Sequence, residues 1–420
     1  MTNKFRFKDF LGNIWSYYPD YNVLTEEECD DYILPSNINK NKLKPFFYSI
    51  TEDLIYQNNS VVALEITREC NFNCKYCYIP KNNIKISETT INDVIDFIVC
   101  KVAKKKENVI IGFGTGEPFL QYKSIVYLVE NLKERFYNEF QNKNIHFTVT
   151  TNASLITEDI LKFLDIHKFG IAISIDGPSD ITNFNRNINA YENAIKVIRL
   201  INEKFKNIIL TLSMVIYNAN IHTISRINSW LQELHFHNKN LIVSFGSVND
   251  LINNYELVCH NLFDSILNNN FQEKIIEIEL IRRRLKKIHD SFNMFIDMDI
   301  PLLGICFPGE RLLVGYDGNL YLCEKSLHSF QIGNVQNGIN LNKVKYLINQ
   351  FVASIHKLNC NKCWARHFCM RCYLSLNEDL HEYCKIEQYE VLCVLKLYCS
   401  ILKICENNLE KFFTLIDYLC

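Results

Sequence analysis

Between residues 61 and 245 the chain alternates six short apolar runs with amphipathic stretches, and three closely spaced cysteines stand directly behind the first run. The runs are Val61–Thr67, Val109–Phe113, Ile145–Thr150, Gly170–Ile175, Ile208–Ile216 and Leu241–Phe245. They are rich in Val, Ile, Leu and Phe, as expected for a parallel sheet covered on its faces. Ser87 is placed to cap a helix whose Ile91, Val94, Ile95 and Ile98 share one face. Ile125, Leu128, Val129, Leu132 and Phe136 make a second such stripe. Six βα units predict an α/β fold, an open, partial (β/α)6 barrel with its active site at the C-terminal ends of the strands.

The rest of the 420 residues divides around that unit, residues 59–250, into four expected parts. Residues 1–58 form an N-terminal extension, polar and aromatic, with one short helix expected over Thr25 to Leu34. Residues 251–303 read as a charged helical connector, and 304–389 as a small domain stapled by metal. Residues 390–420 read as an amphipathic helical tail. A formal charge of −2 gives nucleic-acid binding no electrostatic support. The N-terminus lacks the apolar region of a signal peptide, and no apolar run reaches the length of a membrane span. A cytoplasmic location follows as the expectation. Thiols stay reduced there, so seventeen cysteines point to an iron–sulfur or zinc protein before they point to disulfides.

The segment ECNFNCKYCYIP spaces Cys70, Cys74 and Cys77 as C-x3-C-x2-C on the first βα loop. Three thiolates leave one iron of a 4Fe–4S cluster without a protein ligand, whereas electron-transfer clusters take four cysteines and structural zinc sites close with four ligands. The bland alternative is a chance triplet or half of a zinc site. The segment resembles the cluster motif of the radical S-adenosylmethionine (SAM) superfamily. The resemblance implies that SAM chelates the open iron and is cleaved to a 5′-deoxyadenosyl radical that abstracts hydrogen. It also places Tyr76 near the adenine.

Further matches fall at the ends of the next strands. FGTGEP resembles the family's Gly-Gly-Glu-Pro motif, which implies a SAM-amine site around Gly116, Glu117 and Pro118. Thr115 replaces the first glycine of that motif, which requires a negative φ there. TTNASLIT is similar to Thr-Asn-Gly-x-Leu-Leu, with Asn152 matched and Ala153 in place of Gly. SIDGP followed by NFNR implies Ser174 at the SAM ribose and Arg186 at its carboxylate, a role suited to a planar guanidinium. Thr151, Asn152 and Asp176 read equally well as turn or cap residues.

Seven more cysteines follow: Cys306, Cys323, Cys360, Cys363, Cys369, Cys372 and Cys384. YDGNLYLC reads as a hairpin turn entering a strand, and CNKCWARHFCMRC carries two C-x2-C pairs that also suit zinc ribbons. The series resembles the SPASM domain, which implies two auxiliary 4Fe–4S clusters. By that resemblance Cys306, Cys323 and Cys372 hold the first, and Cys360, Cys363, Cys369 and Cys384 the second. The last pair is one residue closer than in the family. Residues 307–322 contain no further cysteine, so an open or non-cysteine fourth ligand is expected at the first auxiliary cluster. Glu324 stands where related enzymes carry a carboxylate base. Cys29, Cys100, Cys259, Cys393, Cys399, Cys405 and Cys420 fit no motif and are assigned to packing.

The resemblance to sulfatase-maturating enzymes and peptide maturases implies a peptide substrate and an external electron donor such as flavodoxin or ferredoxin. Nearly seventy residues precede the cluster motif, more than sulfatase maturases generally have. The extension therefore favours a maturase of ribosomally made precursor peptides, forming a thioether or carbon–carbon cross-link, with residues 1–58 in contact with the leader. Formylglycine formation on a sulfatase is the alternative, and a non-catalytic iron–sulfur binding protein the alternative of another class.

Overall fold

The computed structural model describes residues 4–26, 50–217, 221–237, 242–247, 255–293, 308–326, 329–372, 379–405 and 408–420. The N-terminal extension opens with a three-stranded antiparallel sheet, β1 (Phe5–Lys8), β2 (Ile14–Tyr18) and β3 (Val23–Glu26). Gly12 and Asn22 take left-handed backbone conformations, φ 89° and 54°, in its two turns. This corrects the expectation of a helix from Thr25. Thr25 and Glu26 pair with Ser16 and Trp15 as part of β3, and the remainder of that stretch lies outside the described residues. The alternation in FRFK and the aromatic residues of IWSYY are the strand signals in this extension.

The chain continues through α1 (Glu52–Asn58), β4 (Val61–Leu64), α2 (Glu88–Phe97), β5 (Asn108–Phe113), α3 (Tyr122–Glu139), β6 (Asn144–Thr151) and α4 (Glu158–Ile166). Next come β7 (Gly170–Ser174), α5 (Ser179–Asn185), α6 (Ala190–Lys204), β8 (Ile209–Ile216), α7 (Ile221–His237) and β9 (Ile242–Ser247). Strands β4 to β9 are the six predicted ones, all parallel and side by side in chain order. The Ser87 hydroxyl accepts the Thr90 amide as the cap of α2, and the apolar stripes of α2 and α3 are buried.

The two faces of these strands differ sharply. Ile111, Phe113, Phe147, Val149, Ile171, Ile173, Leu212 and Met214 belong to the main core, each at most 1% exposed. Between them Gly112, Thr148, Thr150, Ala172, Ser174, Thr211 and Ser213 line a half-buried face. This second face is half-buried and built mostly from small and hydroxylated side chains. Register aligns Thr150 with Ala172 and Thr211, and Ser174 with Ser213, so this lining is continuous across strands.

After α8 (Tyr255–Leu267) and α9 (Ile275–Asn293), strands β10 (Arg311–Val314), β11 (Asn319–Tyr321), β12 (Gln331–Asn334) and β13 (Gly338–Ile339) extend the same sheet. β10 lies parallel to β4, with Leu312 opposite Val62, and antiparallel to β11. One ten-stranded sheet therefore runs β13-β12-β11-β10-β4-β5-β6-β7-β8-β9. Helices α10 (Leu341–Lys357), α11 (Leu380–Ile404) and α12 (Leu409–Leu419) complete the chain. The tail helix thus starts well before residue 390 and carries Cys384 on its first turns. Among the described residues no helix is long and apolar enough to cross a membrane.

Candidate active site

The loop that leaves β4 is pinched at its neck before it presents any cysteine. Ile86 N–H donates to Ile66 O at 2.9 Å, Arg68 N–H to Ile84 O at 3.2 Å, and the Thr67 hydroxyl to Ile84 O at 2.7 Å. Residues 70–77 therefore form a closed excursion whose ends are fixed by an antiparallel bridge between Thr67 and Lys85. Within it the Phe72 amide bonds the Cys70 sulfur at 3.4 Å, and Cys77 N–H donates to Cys74 O at 3.1 Å. Burial raises the Cys70 and Cys74 thiols above the ordinary cysteine value, and each is raised further by the neighbouring thiols; Arg186 pulls Cys74 back down. Three thiols that repel one another as thiolates suit a cationic centre held between them.

The FGTGEP turn packs under this loop. Gly116 has φ 61°, and a Cβ there would sit 2.4 Å from Glu69 O, so no side chain fits. Thr115 is not among the described residues with positive φ, which meets the requirement set by its sequence. Glu117 N–H donates to Glu69 O at 2.8 Å, while its buried carboxylate accepts from the Thr151 hydroxyl and the Asn152 amide, both at 2.8 Å, and from Phe119 N–H at 3.3 Å. Desolvation holds the Glu117 carboxyl above its ordinary range against these three donors. Pro118 starts the following turn and is buried. Glu117 thus ties the ends of β5 and β6 to the cysteine loop. Asn152 acts in the same direction: its amide donates to Asn71 at 2.8 Å and its oxygen accepts from Ser154. Ala153, where the family motif has glycine, holds the left-handed φ of 65° that the glycine would supply freely.

Asp176 is the hub that the sequence reading left undecided between turn and function. Fully buried, it accepts from the Tyr76 hydroxyl at 2.7 Å, from Arg186 Nη2 at 2.6 Å and from Val215 N–H at 3.0 Å. The guanidinium of Arg186 lies 5.5 Å from the centroid of the Tyr76 ring. Its Nε has no hydrogen-bond partner among the described residues although the side chain is buried. An orphaned guanidinium N–H near Cys74, beside the half-buried strand face that carries Ser174, fits the carboxylate of a ligand such as SAM. The carboxylate at the end of a strand followed by an arginine ten residues on was the available signal for Asp176.

The C-terminal cysteines gather in two sets. Cys323, just past β11, accepts the Lys325 amide at 3.4 Å and feels the charge of Cys372. Cys306 lies outside the described residues. In the second set Cys363 N–H donates to Cys360 O at 3.1 Å and the Gln388 amide reaches the Cys363 sulfur at 3.5 Å. Burial pushes Cys360 up to about 11, with Cys384 and Cys363 adding to it. Burial and then Glu387 push Cys369 up to about 12. Among the described residues no three His, Cys, Asp or Glu side chains converge as they would around a single metal ion.

Glu324 is engaged by Arg311, whose Nε and Nη2 donate to its two oxygens at 2.8 and 3.1 Å. Tyr78, 57% exposed, stands near both regions and feels the charges of Glu324, Cys323 and Cys77. Of the cysteines assigned to packing, Cys259, Cys393, Cys399 and Cys405 are buried, Cys420 is half-buried and Cys100 is exposed; Cys29 lies outside the described residues.

Residues 64–231 match the Radical SAM superfamily. An uncharacterized protein of Methanocaldococcus jannaschii is 26% identical over 325 residues, covering 74% of this chain and 97% of that protein. A cysteine-type anaerobic sulfatase-maturating enzyme of Clostridium perfringens strain 13 is 24% identical, covering 75% of this chain and 90% of its own length. The solved structure of native anSMEcpe with bound AdoMet shares the fold with a TM-score of 0.60 at 18% identity, covering 83% of this chain and all of that one.

Proposed function

We propose that this chain, a member of the radical SAM superfamily and an enzyme that modifies a peptide, matures a precursor peptide by hydrogen abstraction followed by a thioether or carbon–carbon cross-link. The observation that carries the reading is the seat of the N-terminal sheet. Phe5 stacks on Trp364 with ring centroids 3.9 Å apart, and Arg366 and His367 both bond Pro19 O. Asn22 bonds Ser291, and Phe10 N–H donates to Ser400 at 2.9 Å. Trp364, Arg366 and His367 stand between Cys363 and Cys369. An added sheet built onto the cysteine-rich region is what an enzyme needs that holds one part of a peptide while modifying another.

SAM and a 4Fe–4S cluster, the cofactors of the superfamily, supply a carbon-centred radical when bound. In our reading Cys70, Cys74 and Cys77 hold the cluster. Arg186, paired with Asp176, keeps an N–H free for the SAM carboxylate, while Tyr76 is fixed by the same Asp176. Gly116, Glu117, Pro118 and Asn152 hold the backbone around the cysteine loop, and Ser174 lines the half-buried strand face. The C-terminal cysteines hold the auxiliary clusters. Glu324, held by the two hydrogen bonds from Arg311, is suited to steering charge at the substrate.

The second reading, formylglycine formation, is favoured by the likeness to the C. perfringens sulfatase-maturating enzyme. Co-expression with candidate precursors, read by mass spectrometry, separates the two. Loss of two hydrogen atoms per event supports the cross-link. A hydrazide-reactive aldehyde on a sulfatase peptide, with the precursors untouched, overturns it.

A further inference from the structure

Arg371 is a buried cation whose surroundings leave half of it unexplained. It stands between Cys369 and Cys372 and is 4% exposed. Its Nη2 donates to the Ser354 hydroxyl at 3.0 Å, and its guanidinium carbon lies 5.2 Å from the Phe351 ring centroid. Nε and Nη1 have no hydrogen-bond partner among the described residues. Other buried arginines of this region are closed off. Arg284 meets both oxygens of Glu387 at 3.1 Å and also pairs with Glu390, while Arg366 donates to Asn361 O, Pro19 O and Asp20. A desolvated guanidinium with two idle donors is costly unless something negative accepts from it.

What surrounds Arg371 is sulfur. Its own amide bonds the sulfur of Cys369, and its charge is felt at Cys360 and at Cys384. Those three, with Cys363, are the second C-terminal set. We propose that Arg371 is the positioning and potential-setting residue of the iron–sulfur cluster held by Cys360, Cys363, Cys369 and Cys384, its Nε–H and Nη1–H donating to sulfurs of that cluster. The inference rests on the reading that these four cysteines hold a cluster. On one-electron reduction a cluster with four thiolate ligands gains a negative charge, and an uncompensated cation and sulfur hydrogen bonds favour that state. The cysteine loop of the barrel differs in this respect, because its arginine, Arg186, is paired with Asp176.

The test uses the full chain with C70A, C74A and C77A introduced together, reconstituted anaerobically, so that all bound iron belongs to the C-terminal cysteines. The electron paramagnetic resonance signal lost in a Cys384→Ala version identifies the second cluster. Its reduction by dithionite through mediators is then titrated. Arg371→Met is expected to keep its iron and to make reduction about tenfold less favourable or worse, a shift of 59 mV or more to lower potential for one electron. Arg371→Lys should recover more than half of that shift. Ser354→Ala, which removes only the outer hydrogen bond, should leave the potential in place. Stability supplies a second readout: without iron, Arg371→Met should melt above its parent, and its gain in Tm on reconstitution should shrink.

A full iron load with an unchanged potential in Arg371→Met overturns the proposal, as does an iron-free variant that melts lower with an undiminished gain. Should the Met variant fail to load iron, Arg371→Gln, which keeps a donor and drops the charge, must show the same downward shift. If Cys384→Ala removes neither iron nor signal, the cluster reading itself falls, and the role of Arg371 with it.

Discussion

The two cysteine regions solve the same problem by opposite means. In the barrel three cysteines lie within eight residues on one pinned loop, and the supporting polar groups are paired with one another: Tyr76 and Arg186 with Asp176, Thr151 and Asn152 with Glu117. In the C-terminal region the cysteines come from a turn, a loop and the start of α11. Their support comes from distant helices, with Arg284 of α9 holding Glu387 and Glu390 of α11. A local loop can be prebuilt and left with one open valence, as catalysis requires. A set collected from separate elements is suited to closure by four ligands, because the bound centre itself holds the elements together.

The largest effect should come from breaking one region and reading the other. Cys74→Ala should abolish SAM cleavage to 5′-deoxyadenosine while iron bound by the C-terminal region persists. Cys384→Ala should keep SAM cleavage, lose one cluster's iron and lose peptide modification. If both variants lose both activities equally, the regions are not separable and the comparison fails.

Arginine pairing is the next point of contrast. Asp176→Ala strips the buried Arg186 of its carboxylate and should cost about 3–5 kcal/mol in urea unfolding of the iron-free protein. Glu390→Gln leaves Arg284 its bidentate bond to Glu387 and should cost only about 1–2 kcal/mol. Equal losses would mean that Arg186 finds another partner.

Glycine substitutions should follow in size. At Gly116 a methyl group meets Glu69 O at 2.4 Å with φ 61°, and Gly116→Ala should destabilise by about 1–3 kcal/mol and loosen SAM binding in equilibrium dialysis. At Gly318 of the C-terminal hairpin the nearest contact is Val335 Cγ2 at 3.0 Å, with φ 77°. Gly318→Ala should cost about 1 kcal/mol and leave SAM binding unchanged.

The smallest effect is a pH slope. Burial raises the Glu117 carboxyl above its ordinary value of 4.5, so the folded chain binds that proton more tightly than the unfolded one. Its contribution is full below pH 4.5 and declines as pH rises through the folded value. Glu117→Gln should flatten this part of the stability–pH curve; an unchanged slope would assign it elsewhere.

Much of the barrel is legible along the chain because its information is local. Ser87, the stripes of α2 and α3, and the six strands follow from capping and periodicity within a dozen residues. The N-terminal sheet was missed for a related reason: its strands are four or five residues long, too short for periodicity to outweigh the charged stretch that follows Thr25. Asp176 was legible as a residue but not as a hub, since Tyr76, Arg186 and Val215 come from three different segments. Ala153 shows the same limit, because its left-handed backbone, with its amide bonded to the Thr151 hydroxyl, runs against its own preference.

The sequence by itself determined the α/β alternation, the loop that presents Cys70, Cys74 and Cys77, and the likeness of residues 64–231 to the Radical SAM superfamily. Spacing within one turn or one strand needs no other part of the chain to take effect. Only the tertiary structure decided that β10 joins β4 to make one sheet, and that one face of the strands stays half-buried. It alone decided that Arg186 meets a carboxylate, whereas Arg371 meets none among the described residues. Those outcomes depend on which groups lose water together. Burial and charge are properties of the assembled interior, where a partner hundreds of residues away matters as much as the next residue along.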